Sequence, residues 1–333
     1  MTTRTTEAVH HEYDLIIIGG GPTGINIAVE ADKAGLRYVI LEKGMLVNSL
    51  FHFPANMTFF STSKNLEIAD IPFISHTDKP TRKEALEYYR RIIDAYNLNV
   101  KLYEPVHHVE LKDGIHRVTT PKGEYKTANI AVATGFYDVP RMLEVPGENL
   151  PKVKHYYDEA HHYVGQQVVV IGGANSACDV ALETWQKGAD VTMVVREPEL
   201  YEKVKYWILP NIKNRIKEGS IKAYFNSNVT RIEPDHVIIQ TPETTIQIDN
   251  DFVLAMTGYK PDYDLLTRIG VPIKESPDRK PDFDEETLMT SVAGIYVAGV
   301  VNAGLRTSKL FIENTRHHGS TIVTDILSRR SRS

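Results

Sequence analysis

Cysteine is nearly absent from this chain: 333 residues carry one, Cys178. That excludes an intramolecular disulfide framework and a cysteine-rich metal site. Long apolar runs are missing too. No segment approaches the roughly 18 apolar residues of a membrane-crossing helix, and the opening stretch MTTRTTEAVHHEY has no apolar core of the kind a signal peptide needs. A dense cationic patch is also lacking. Lys and Arg total 38 against 43 Asp and Glu, a net charge of −5, so nucleic acid is not an expected partner. The one basic run, SRRSRS at 328–333, is short and expected to fray. Histidines fall in adjacent pairs, His107–His108, His161–His162 and His317–His318. Neighbours in sequence point to opposite faces of a strand and diverge on a helix, so these pairs are poor chelators and no metal is expected. What is left, with 42% hydrophobic and 24% charged residues, is the composition of an ordinary globular protein. It is long enough for two domains and is read as cytoplasmic, with no membrane partner.

Against that plain background one pattern occurs twice. Residues 14–44 read DLIIIGGGPTGINIAVEADKAGLRYVILEKG, and residues 167–197 read QVVVIGGANSACDVALETWQKGADVTMVVRE. Each is an apolar β-run, a Gly-rich turn, a helix closing near a glycine (Gly35, Gly188) and a second β-run. That order predicts a βαβ unit, whose parallel strands need the crossover helix. Two units predict an α/β fold of two Rossmann-like dinucleotide-binding domains. Two further β-runs ending in Thr-Gly, IAVATGFYDVP (130–140) and FVLAMTGYKPD (252–262), bracket the second unit. The domains are therefore expected to be nested, 1–137 with 258–333 forming the first and 138–257 the inserted second. A helix is predicted over 81–96 with Thr81 as its N-cap, and HRVTTP (116–121) and HVIIQ (236–240) read as hairpin strands.

The two turns differ in ways that separate their ligands. In the first, Gly19-x-Gly21-x-x-Gly24 follows a strand and opens a helix. Gly19 allows the tight turn, Gly21 lets backbone approach a pyrophosphate, and Gly24 lets helix and strand pack. The phosphates are expected at the positive helix end. Glu42 ends the second strand, where a carboxylate accepts hydrogen bonds from ribose hydroxyls. In the second turn Gly172 and Gly173 are present, while Ala174 and Ala177 take the later small positions and Ser176 offers a phosphate contact. Arg196 stands where the first unit has Glu42. A guanidinium binds a 2′-phosphate that a carboxylate would repel, and Lys203 and Lys205 follow in the next loop. The second unit is expected to bind NADPH. The first is expected to bind FAD, which takes a hydride and passes electrons on.

Residues 294–320, GIYVAGVVNAGLRTSKLFIENTRHHGS, read as a strand, a small-residue turn and a helix capped by Thr307 or Ser308. Gly299 would let backbone approach the flavin, and the helix start would stabilise charge on the reduced ring. Phe51, Phe53, Phe59 and Phe60 are open to two uses, as walls of the flavin ring or as core packing; Asn48 precedes them as a flavin-edge donor. Cys178, early in the second helix, reads as a small core residue.

Taken together, EKGMLVNSLFHFPANMTFFSTSKNLEI (42–68), VATGFYDVP, KYWILP (205–210), FVLAMTGY and LFIENTRHHG resemble the bacillithiol disulfide reductase (bacilliredoxin reductase, YpdA) family of thioredoxin-reductase-like flavoproteins, over nearly the whole chain. The resemblance implies FAD, NADPH, a homodimer or homotetramer, and an acceptor that is a low-molecular-weight disulfide or a small redox protein. It implies an FAD site of Gly19, Gly21, Pro22, Thr23, Gly24, Glu42, Lys43, Asn48, Thr134, Gly135, Gly299 and Val300. The implied NADPH site is Gly172, Gly173, Ala174, Asn175, Ser176, Arg196 and Lys205. His155 and Glu313 are the acid–base candidates of a chemistry centred on the flavin. Two departures stand out. Thioredoxin reductases carry Cys-x-x-Cys ahead of the second turn, where this chain has KVKHYYDEAHHYVG (152–165), and bacillithiol disulfide reductases commonly carry cysteine at the position of Thr23. A threonine hydroxyl forms no mixed disulfide. A ferredoxin- or flavodoxin-NADP reductase, a flavin-dependent monooxygenase and a flavin-binding sensor are the alternatives.

Overall fold

The computed structural model describes residues 11–331. The expectation for the leader falls mainly on residues 1–10, outside the described residues, as does the end of the basic tail at 332–333. The chain divides into two compact units. One contains the described residues up to Phe51, Ser61–Val139 and those from Lys260 on; the other contains His52–Phe60 and Pro140–Tyr259. The chain thus passes into the second unit at 139/140 and leaves it at 259/260. The short run His52–Phe60, which the sequence assigns to the first domain, groups with the second unit.

The first unit is built on β1 (His11–Ile18), β2 (Tyr38–Leu41), β3 (Val100–Lys101), β4 (His108–Lys112), β5 (Ile115–Thr120) and β6 (Gly123–Val132), in the order β3-β2-β1-β6-β5-β4. The strand Ile295–Val297 also pairs with β6. Strands β3, β2, β1, β6 and Ile295–Val297 run parallel; β4 and β5 form the antiparallel hairpin the sequence predicts. The continuous Leu15–Ile18 run is buried on both faces, as parallel strands covered by helices require. Helix α1 (Pro22–Lys33) is the crossover from β1 to β2 and ends at Gly35, φ +67°. The helix Arg82–Tyr96 starts on a complete capping box between Thr81 and Glu84, in keeping with the predicted cap.

Two corrections concern the C-terminal stretch. Thr307 and Ser308 cap no helix: Gly299–Ala303 forms a 3-10 turn, and the helices that follow are Ile312–Thr315 and His318–Arg330. Gly304, at φ +57° and ψ −126°, ends the turn outside helical geometry, and the Leu305 amide and the Arg306 guanidinium turn instead to Asp278, both at 2.7 Å. The basic tail does not fray at its start either. Arg329 and Arg330 complete the last helix, where cations favour the negative helix end, and pair with Asp325 at 2.7 Å and Asp14 at 2.6 Å.

The second unit has a parallel five-stranded sheet ordered Lys222–Tyr224, Asp190–Val194, Gln167–Ile171, Phe252–Ala255, Val153–Lys154. The helix Asn175–Gln186 is the crossover of its βαβ unit and closes near Gly188, φ +94°. A three-stranded antiparallel sheet, Asn228–Ile232, His236–Gln240 and Thr245–Asp249, completes the unit. Among the described residues no helix is long and apolar enough to cross a membrane.

Candidate functional site

Each unit holds the same device, a helix whose first turn is left without a cap. Neither α1, with Gly21 at its N-cap, nor Asn175–Gln186, with Ala174 there, receives a side-chain cap hydrogen bond, and neither has an acid in its first turn. The helix Arg82–Tyr96 has both. The first amides of an α-helix have no partner within it; Leu209–Lys217 and His318–Arg330 also start uncapped and without an acid, so it is the glycine turn ahead of these two helices, α1 and Asn175–Gln186, that marks their starts as candidate anion sites.

Within the first glycine turn, Gly19 and Gly24 are enforced by sterics. Gly19 has φ +112°, and a Cβ there would stand 2.6 Å from the Ala133 carbonyl oxygen; a Cβ on Gly24 would be driven into the carbonyl oxygen of Gly19. A Cβ on Gly21, by contrast, meets nothing within 4 Å. The space in front of Gly21 is open, as close backbone approach to a pyrophosphate requires. Glu42 is buried, its Oε2 accepting from the Gly20 amide at 2.6 Å and its Oε1 from the Gly44 amide at 2.9 Å. Burial pushes its pKa up, while the two amides favour the carboxylate. Each oxygen keeps a lone pair for a ribose hydroxyl.

The other expected FAD-site residues fall around this turn in the same unit. Thr23 is the second residue of α1, and its Oγ1 would stand 2.6 Å from a Cβ on Gly299. Gly135, φ +71°, lies close to Val300, whose Cγ2 would be 3.8 Å from an added Cβ. Pro22 is the first residue of α1, and Thr134 follows Ala133, the residue after β6, whose carbonyl abuts Gly19. Asn48 packs on Gly44, where it leaves no room for a Cβ. Lys43 pairs with Asp138 at 2.8 Å. The phenylalanine stretch is divided: Phe51 stays in the first unit beneath the Arg82 guanidinium, whereas Phe60, in the second, stacks on Trp207.

One participant was not legible in the sequence. His318, the first residue of the last helix, is buried, and its Nδ1 accepts the Gly299 amide at 3.0 Å. Burial, with His317 alongside, pushes its pKa down to about 4. The unfolded histidine titrates near 6.5. Between those values the unfolded chain takes up a proton that the folded one refuses, so stability falls as pH drops from 6.5 towards 4. This residue alone accounts for about 3 kcal/mol across that window. Urea unfolding from pH 7 to 4 should show the decline, and His318→Asn should flatten it; an equal slope in both proteins would count against the assignment.

In the second unit Gly172 has φ +127°, with Met256 O only 2.7 Å from a would-be Cβ, and a Cβ on Gly173 would stand 2.7 Å from Val195 Cγ1. Ala174 and Ser176 are exposed at the open helix start. Asn175 turns its Oδ1 to the Lys205 amide at 2.8 Å. Arg196 follows the strand Asp190–Val194 with its side chain 79% exposed and paired with its neighbour Glu197 at 2.8 Å. Lys203 is exposed as well. Lys205 is placed differently from the free loop cation the sequence suggests: its Nζ is partly buried against Asp179 at 2.8 Å and near the Trp207 ring. Arg196 is therefore the more available of the two for a 2′-phosphate.

The remaining candidates lie apart. His155, in the second unit, has Nε2 3.3 Å from Glu148, yet neither ring nitrogen makes a hydrogen bond; burial lowers its pKa against the pull of Glu148. Glu313, in the first unit, accepts from Asn65 at 3.3 Å. Cys178 is fully buried in the second unit's core, and burial with Asp179 raises its thiol to about 12.

Two glycine-bound phosphate cradles, one beside a carboxylate and one beside a guanidinium, define an oxidoreductase of the two-dinucleotide α/β class. The profile of the pyridine nucleotide-disulphide oxidoreductases matches residues 16–299, and the chain belongs to that family. It is 43% identical over 318 residues to bacilliredoxin reductase Bdr of Bacillus subtilis, covering 95% of this chain and 98% of that protein. The solved bacillithiol disulfide reductase Bdr (YpdA) of Staphylococcus aureus superposes with a TM-score of 0.93 at 40% identity, over 96% of this chain and 99% of the other. A ferredoxin–NADP reductase of Lactococcus lactis (MG1363) is 30% identical, covering 86% and 85%.

Proposed function

We propose that this protein is an NADPH-dependent FAD oxidoreductase that reduces a low-molecular-weight disulfide of the bacillithiol disulfide type. The observation that carries the reading is the pair of unlike cradles in a chain so similar to a bacilliredoxin reductase. The ferredoxin reading has weaker support, 30% identity against 43%. NADPH supplies the hydride and FAD relays its two electrons to the acceptor, so that NADPH, a proton and one disulfide give NADP⁺ and two thiols.

The chain's own residues bind and orient. The amides opening α1 hold the FAD pyrophosphate while Glu42 takes the ribose; the amides after Gly173 hold the NADPH phosphates while Arg196 takes the 2′-phosphate. Thr23, packed on Gly299, shapes the turn and offers no nucleophilic sulfur. The single thiol, Cys178, is buried and protonated at neutral pH, and a thiolate is the form that attacks disulfides. No mixed disulfide with this chain therefore precedes reduction of the acceptor. A single inert thiol agrees with a reducing compartment, and we assign the protein to the cytoplasm, as a homodimer or homotetramer.

The test is anaerobic reduction by NADPH followed by mixing with bacillithiol disulfide, thioredoxin-like proteins, ferredoxin, quinones or oxygen in separate runs. Bacillithiol disulfide should re-oxidise the flavin fastest, at the same rate within about twofold in Cys178→Ser and after thiol alkylation. Re-oxidation by ferredoxin alone overturns the proposed acceptor. Loss of disulfide turnover in a stably folded Cys178→Ser protein overturns the thiol-free route.

A further inference from the structure

The last strand of the first unit, Ile295–Val297, runs into a backbone that must turn at once. Gly299 adopts φ +83° and begins the 3-10 turn Gly299–Ala303. Two groups from distant parts of the chain close on it. Thr23, in the first turn of α1, fills the space on its Cα side, and the His318 ring meets its amide. The hydrogen bond is buried and 3.0 Å long. Gly319, next in the chain, packs so closely on Asn26 of α1 that a Cβ would strike the asparagine side chain. The start of the last helix is thereby seated against α1, which keeps the histidine ring in register with Gly299.

A backbone amide only donates, so Nδ1 must be the unprotonated nitrogen and the ring proton must sit on Nε2. The ring stands at a helix N-terminus, where positive charge is disfavoured. His317 packs edge-on against it at 4.7 Å between ring centroids. Removing the histidine takes away the acceptor that this buried amide uses, which costs the hydrogen bond that ties the turn to the last helix.

We propose that His318 is a positioning residue of the flavin site: its Nδ1 holds the Gly299 amide and so fixes the Gly299–Val300 turn in the form that receives FAD. The inference rests on the assignment of Gly299 and Val300 to FAD above. It requires an acceptor at the Nδ1 position and nothing else of the imidazole, which sets it apart from a role in filling space.

Three substitutions separate these roles. His318→Asn keeps an acceptor oxygen near the Nδ1 position; His318→Gln carries its acceptor one bond further out; His318→Leu has none. The readouts are the FAD dissociation constant of the apoprotein, followed by flavin fluorescence, and the hydrogen exchange of the Gly299 amide. NADP⁺ binding serves as the folding control. His318→Gln and His318→Leu are expected to bind FAD roughly ten- to a hundredfold more weakly and to lose protection at Gly299. His318→Asn is expected to stay within about threefold of the parent and to keep that protection. NADP⁺ affinity should not change. If His318→Leu does not fold, the Asn and Gln variants decide alone. Equal FAD affinity in all variants, or an Asn variant as weak as Gln, overturns the inference while leaving the flavin assignment standing. A parent protein that takes up no FAD overturns both.

Discussion

Gly24→Ala should come out of purification colourless. The added methyl is driven into the carbonyl oxygen of Gly19, and neither partner has anywhere to go. Gly19 is itself held, at φ +112°, against the backbone of Ala133 at the end of β6. Gly24 sits in the first turn of α1, whose next residue, Ile25, is fully buried. Relief requires α1 to lift off the sheet, which costs about 3 kcal/mol of packing and displaces the amides that face the open space before Gly21. The visible flavin absorbance per mole of protein is expected to fall at least about tenfold, the thermal midpoint to drop, and NADP⁺ binding by the second unit to persist. Gly21→Ala is the control, because a Cβ there meets nothing within 4 Å: it should fold normally and weaken FAD binding only by intruding on the pyrophosphate. A yellow Gly24→Ala protein with full flavin content would show that the phosphate cradle lies elsewhere.

Arg196→Glu should exchange coenzyme preference. The guanidinium lies just beyond the strand Asp190–Val194, exposed and paired with the adjacent Glu197, so it is available to a 2′-phosphate at little cost. Charge-assisted hydrogen bonds to such a group are worth about 1.5–3 kcal/mol, and a glutamate in its place adds repulsion. The expected outcome is a fall of about a hundredfold in kcat/KM for NADPH, with NADH changing by less than about threefold. The exposed position makes the loss smaller at high salt. Arg196→Lys should fall between, since an ammonium offers no planar fork. If NADPH and NADH decline together, Arg196 supports the fold of the loop and the 2′-phosphate is held by other residues. Lys205, paired with Asp179, would be the next to test.

Much of this was legible before any coordinates because it is local. The spacing of Gly19, Gly21 and Gly24 between a β-run and an apolar helix, the cap at Thr81, and the glycines closing each crossover helix depend on neighbours within a few residues. Where the prediction went astray, the deciding partner was remote. Thr307 and Ser308 look like caps in isolation, but Leu305 and Arg306 just before them are tied to the distant Asp278, and no helix starts before Ile312. The basic tail looks solvated until Asp14, on β1, receives Arg330. Lys205 looks like a free cation until Asp179 takes it. The phenylalanine stretch, open in sequence to walling the flavin or to core packing, is divided by the chain between two units at Phe51.

The amino-acid sequence by itself determined that two nucleotides are to be gripped by backbone, one beside an acid and one beside a base, and that no cysteine pair takes part. These are statements about residue type and short spacing, which a linear reading contains in full. Tertiary structure alone decided that Glu42 is anchored by the amides of Gly20 and Gly44 and that His318 reaches Gly299. Burial and the meeting of a donor with an acceptor across 19 residues depend on how helices settle on a sheet, and nothing in the order of the residues fixes that.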